Sequence, residues 1–149
     1  MRNPTTWVLI ADGASARVYQ NTGPGTGLKP VEDMEFDAPH GRARDIMADK
    51  PGRSFSSAGT RRSAMEPASD PVDNMEAEFV RGLAAMLAEK LRLGAYDDLI
   101  VALAPRALGQ FRDQLSRDVA ARIRHELASD LVNTPPQDLP RHFEDILKL

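Results

Sequence analysis

The sequence predicts a single α/β domain over residues 1–149, a mixed sheet that begins with an antiparallel β-hairpin and carries helices packed on it. Three observations support this. Two short runs, 6–11 and 99–104, are apolar throughout, as strands covered on both faces are. Three strand-like segments stand close together before residue 37, separated by turn residues. From residue 71 onward, apolar side chains recur at three- and four-residue steps, the mark of a helix with one buried stripe.

Thr6-Trp7-Val8-Leu9-Ile10-Ala11 reads as the first strand, and Asp12-Gly13-Ala14-Ser15 as the turn after it. Ala16 to Asn21 alternates like a strand with one packed face, which completes a hairpin. Thr22 to Gly27 is a second turn, rich in Gly and Pro. Leu28 to Phe36 is a weaker strand whose Pro30 and acids suit a sheet edge, where charge discourages mispairing. Residues 37–70 break every periodicity and are expected to form a long flexible loop; structureless segments of this length in a compact domain are usually functional or disordered.

Asp70-Pro71 then offers an N-cap and a first-turn proline. Val72, Met75, Phe79, Val80, Leu83, Met86, Leu87 and Leu91 form the stripe of a helix that should end at Gly94. Leu99 to Ala104 is a central strand, placed to pair in parallel with the first. Pro105 opens a helix with Leu108, Phe111 and Leu115 on one face. Ser116 looks like a fresh N-cap, and Val119, Ile123 and Leu127 continue the helical spacing. A last short strand is expected at 130–132, and a closing helix from Asp138 to Lys148, with Pro140 in its first turn.

No cysteine is present, which excludes disulfides, thiolate catalysis and cysteine-ligated metals. The N-terminal apolar run is too short for a secretory signal, and no stretch is long enough for a membrane span, so the expectation is a soluble, cytoplasmic protein without membrane contact. Charge is unevenly spread. Residues 38–70 hold six cations (Arg42, Arg44, Lys50, Arg53, Arg61 and Arg62) against four acids. With the whole chain at −3, that surplus of two leaves the remainder at −5.

The order of elements and several residue groups resemble the bacterial host-attachment protein family. The shared groups are Trp7-Val8-Leu9-Ile10-Ala11-Asp12, Ala16-Arg17-Val18-Tyr19, Pro51-Gly52-Arg53-Ser54-Phe55, Tyr96-Asp97-Asp98-Leu99-Ile100-Val101, Ala104-Pro105 and Leu108-Gly109 followed by Phe111-Arg112, with Phe79 and Asp130-Leu131 besides. That family looks like the central domain of archaeal and eukaryotic class-1 release factors, which implies a ribonuclease-H-like sheet. In those factors the corresponding loop carries Gly-Gly-Gln. This sequence has Pro51-Gly52-Arg53 and Ala58-Gly59-Thr60-Arg61-Arg62 there instead, so hydrolysis at the peptidyl-transferase centre is not implied. Contact with RNA or the ribosome is, by analogy.

The candidate site residues follow. Arg42, Arg44, Lys50, Arg53, Arg61 and Arg62 can clamp phosphates, with Arg112 after the fourth strand as a possible partner. Gly52 and Gly59 would let the backbone approach a ligand, while Phe55 is the one aromatic available there for stacking. Asp12 has two readings: turn chemistry, or a metal ligand of a ribonuclease-H-like hydrolase. Asp97 and Asp98 precede their strand and need not meet it. His40, His125 and His142 lack metal-ligand spacing; Ser54, Ser56, Ser57 and Ser63 lack an activating base; Arg106 reads as a helix-surface charge. The expectation is a cofactor-free, non-catalytic module that binds an anionic partner, RNA or the ribosome and not DNA. The other two readings are the Asp12 hydrolase and a structural or regulatory protein affecting attachment to host cells.

Overall fold

β1 (Thr6–Ala11) is buried at every position, because after Thr6 its five residues are all apolar and leave no face for water. The computed structural model describes residues 4–38 and 71–147. Within them, β1 pairs antiparallel with β2 (Ser15–Asn21), bringing Ala11 opposite Ala16. On its other side it pairs in parallel with β4 (Asp98–Leu103), bringing Ala11 opposite Leu103. β3 (Lys29–Asp37) lies antiparallel outside β2, and the five-stranded order is β3-β2-β1-β4-β5. The expected edge position of β3 and the parallel pairing across the centre are both present. Asp33 adopts a left-handed φ of 62° beside a shift in the β2–β3 register, a conformation that aspartate tolerates better than most residues.

α1 (Pro71–Arg92) buries Val80, Leu83, Ala84 and Leu87 at steps of three, one and three, which is one face of a helix. It ends as expected: Gly94 takes φ 77°, Ala95 N–H donates to the Lys90 carbonyl and Gly94 N–H to that of Leu91, both at 2.9 Å. With α2 (Pro105–Gln114), α1 covers the sheet face made by Trp7, Leu9, Val18, Leu99 and Val101. The opposite face, built by Val8, Ile10, Tyr19, Ile100 and Ala102, is sealed by Leu131, Leu139 and Phe143 of the C-terminal segment.

Tyr96 joins the first core at the α1–β4 connection. Its ring stacks on Trp7 at 5.0 Å between centroids, and its hydroxyl donates to the Leu87 carbonyl at 2.7 Å. Burial pushes its pKa up to about 12, outweighing the opposing charge of Arg122. An unfolded tyrosine ionises near pH 10, so between pH 10 and 12 the unfolded state binds fewer protons and stability must fall. The contribution is complete below pH 10, and about 2–3 kcal/mol is expected to be lost by pH 12. Urea denaturation across that range should show this loss in the parent and a flatter profile in Tyr96→Phe.

Three expectations are corrected after Ser116. Ser116 does cap a helix, its Oγ accepting the Val119 N–H at 3.2 Å, but α3 (Arg117–Ala120) stops after four residues. The chain then forms β5 (Ile123–Leu127), parallel to β4 with Leu99 opposite Ile123. A four-residue step suits one face of a helix, but here a register shift between Ile123 and His125 turns Ile123 toward the first core and Leu127 toward the second. The free edge of β4 decides between helix and strand, and His125 and Glu126 are exposed on a strand, not a helix.

Residues 130–132 form no strand; Asp130 Oδ1 instead accepts the Val132 N–H at 3.2 Å and Leu131 is buried. The closing helix is shorter than expected. A 3₁₀ turn, Pro136–Asp138, leads into α4 (Leu139–Phe143), with Pro140 in its first turn. Asp37 belongs to β3, while residues 39–70 of the expected loop, with the Asp70 cap, lie outside the described residues. Among the described residues, no helix is long and apolar enough to cross a membrane.

Candidate functional site

The two ends of the basic segment reach the described structure at the same place. Ala38 N–H donates to the Ala14 carbonyl at 2.7 Å, and Ser15 Oγ donates to Asp37 Oδ1 at 2.9 Å, so the end of β3 is tied to the turn between β1 and β2. Glu76 of α1 lies against the same turn: a Cβ on Gly13 would stand 2.6 Å from its Cγ and Cδ. Both ends therefore flank the carboxyl termini of the parallel strands β1 and β4, where open α/β sheets form their ligand crevices. A cavity of about 200 Å³ opens there, lined by Asp12, Gly13, Glu76, Ala104, Arg106 and Ala107.

Asp12 does turn work in this cavity. Its Oδ1 accepts the N–H groups of Ala14 and Ser15, each at 2.7 Å, and its own N–H donates to the Ser15 carbonyl at 3.0 Å. Glu76 is the other carboxylate lining the cavity, and its Oε1 faces Arg106 Nε at 3.5 Å. Two-metal hydrolysis needs several converging carboxylates, and this donor set does not supply them. Among the described residues, no three His, Asp or Glu side chains come together as a metal-binding group. Asp97 is instead held at the far end of β1, its Oδ2 accepting the Thr5 N–H at 2.8 Å, and Asp98 pairs with Arg124.

Arg106 lines the cavity from the first turn of α2. Arg112, in the last turn of the same helix, is not among the lining residues; it pairs with Glu126 on β5. His125 and His142 are exposed, on β5 and α4. Arg42, Arg44, Lys50, Arg53, Arg61 and Arg62 lie outside the described residues, as do Gly52, Gly59, Phe55, His40 and the four serines.

Sequence reasoning passed over two residues. Glu76 reads in the sequence only as an acid suited to the opening turns of a helix; its contact with Gly13 is tertiary and leaves no local signal. Arg17 reads as the polar half of an alternating strand. On the sheet it donates to the Tyr19 hydroxyl at 3.1 Å and to the carbonyls of Leu131, Val132 and Thr134, fastening the C-terminal segment to β2.

Fifteen chains of solved structures show a match to this chain. One is titled a structural study of the PPX-GPPA enzyme of Aquifex aeolicus, with 8% identity and a TM-score of 0.36 over 83% of this chain and 36% of that one. The chain thus spans little more than a third of the length of that structure. No curated protein matches it. A family model described as "Protein required for attachment to host cells" matches residues 7–143, from β1 through the end of α4. By that match over nearly its whole length, the chain belongs to the family of proteins required for attachment to host cells.

Proposed function

We propose that the chain is a cytoplasmic, non-catalytic binding module that engages an anionic partner, RNA or the ribosome, through Arg42, Arg44, Lys50, Arg53, Arg61 and Arg62. The observation that carries this reading is the partition of charge: a segment with a cationic surplus, set into a body of net charge −5. Its two ends flank the carboxyl termini of β1 and β4, which supports a partner docked at that end of the sheet. Several cations of the body are committed internally. Arg81, Arg92, Arg106, Arg112 and Arg124 each face a carboxylate, and Arg17 holds main-chain carbonyls. Arg112 would join the phosphate-binding set only by exchanging Glu126 for phosphate. The turn role of Asp12 supports binding over hydrolysis. The resemblance to release-factor central domains read from the sequence directs this proposal toward the ribosome. Attachment would then be affected indirectly, through gene expression.

Sedimentation of the tagged protein with ribosomes across a salt series tests this. Association should weaken as salt rises. Replacing Arg53, Arg61 and Arg62 with Ala should flatten the dependence of log K on log salt by about 2, the share of three phosphate contacts. Association that ignores salt, or survives those substitutions unchanged, would end the reading.

A further inference from the structure

An apolar groove of about 670 Å³ runs between the end of β3 and α1, with Phe36, Met75, Phe79, Leu83 and Met86 along it. Its sheet-side wall is the edge strand β3, which pairs with β2 alone among the described residues and so presents one unpaired line of backbone N–H and C=O groups there. The side chains of β3 divide by face. Met34 and Phe36 turn toward α1, while Glu35 and Asp37 stand between them in the alternation. Glu32, Asp33, Glu35 and Asp37 are all exposed, and among the described residues none of the four has an ion-pair partner.

We propose that β3 and the groove beside it receive an extended segment of a partner protein as an added strand, one that alternates apolar side chains with Lys or Arg. Strand addition satisfies the outer backbone groups of β3 and gives the incoming chain a period of two. Its apolar residues then point to the α1 side and enter the groove, where flexible methionines adapt to their shape. Its intervening residues fall on the face of Glu35 and Asp37, where cations complement the acids. A helix would present its charges at three- and four-residue steps and would not match this alternation. The proposal does not depend on RNA binding.

The test uses the full chain and three labelled nonapeptides: alternating Val and Lys, alternating Val and Glu, and a scrambled form of the first. Binding is followed by fluorescence anisotropy, and the footprint by amide exchange. The Val–Lys peptide should bind, the other two at least tenfold more weakly, and the β3 amides between residues 31 and 37 that face away from β2 should gain protection. Phe79→Glu, which blocks the groove, and Glu35→Lys, which reverses the charge, should each weaken binding at least tenfold. Thermal melts matching the parent establish that these variants fold, and Met86→Glu replaces any that does not. The Arg53, Arg61 and Arg62 substitutions should leave peptide binding unchanged, which separates failure here from failure of the ribosome reading. Absence of binding, as when the chain's own residues occupy the groove, overturns the proposal. So does equal binding of the scrambled peptide, or protection that omits β3.

Discussion

Phe143→Ala is expected to lower the unfolding free energy by about 3–5 kcal/mol, the cost of emptying a fully buried aromatic site. Phe143 is fully buried, and with Leu139 it covers Val8, Ile10, Tyr19, Ile100 and Ala102. Few side chains share that duty, because α4 has only five residues and only two of them are buried. Domains of this size are stable by about 5–15 kcal/mol in total, so the variant should lose a large fraction of its stability. Urea denaturation would measure the loss. A loss below about 1 kcal/mol would mean that the C-terminal segment does not close this face.

Arg17→Met is expected to cost about 2–3 kcal/mol. The methionine keeps the apolar stem but leaves the carbonyls of Leu131, Val132 and Thr134 without their charged donor. Arg17→Lys should recover little of this, since one ammonium cannot reproduce a planar fork that serves the Tyr19 hydroxyl and several carbonyls together. Amide exchange separates this mechanism from general destabilisation: residues 131–134 should open first, ahead of β1 and β4. With Phe143→Ala in the same chain, the combined loss should fall short of the two single losses together, because both substitutions release one segment. Strict additivity would show that Arg17 and Phe143 act on different structures.

The parts of the fold that could be read from the sequence are those in which one periodicity stands alone. Residues 7–11 of β1 and 99–103 of β4 are unbroken apolar runs that admit only a doubly covered strand, and α1 carries its stripe for most of its length with a glycine at its end. β5 was hidden because Ile123 and Leu127 continue the four-residue step from Val119, while the register shift that sends them to opposite faces and the vacant edge of β4 leave no local signal. The closing helix was over-extended for a related reason: Ile146 and Leu147 pack on the second core from the turn that follows α4. At the candidate site, Asp12 and Gly13 were legible as a turn, since their bonds are local. Glu76 and Arg17 were not, because each acquires its partner from a distant part of the chain. The basic segment was legible through its charge alone.

The pairing of β1 with β4 has a consequence for how the chain matures. Thr5 and Asp97, whose bond closes one end of that pairing, are 92 residues apart. During synthesis the first three strands emerge early, but one side of β1 lacks its neighbour until the ribosome has passed Leu103. For that interval a strand with five successive apolar residues has an open edge, the condition under which nascent chains associate wrongly. Closing so distant a contact is slow, so assembly of the sheet centre should limit the folding rate. The nascent chain therefore has its greatest need of a chaperone before β4 emerges.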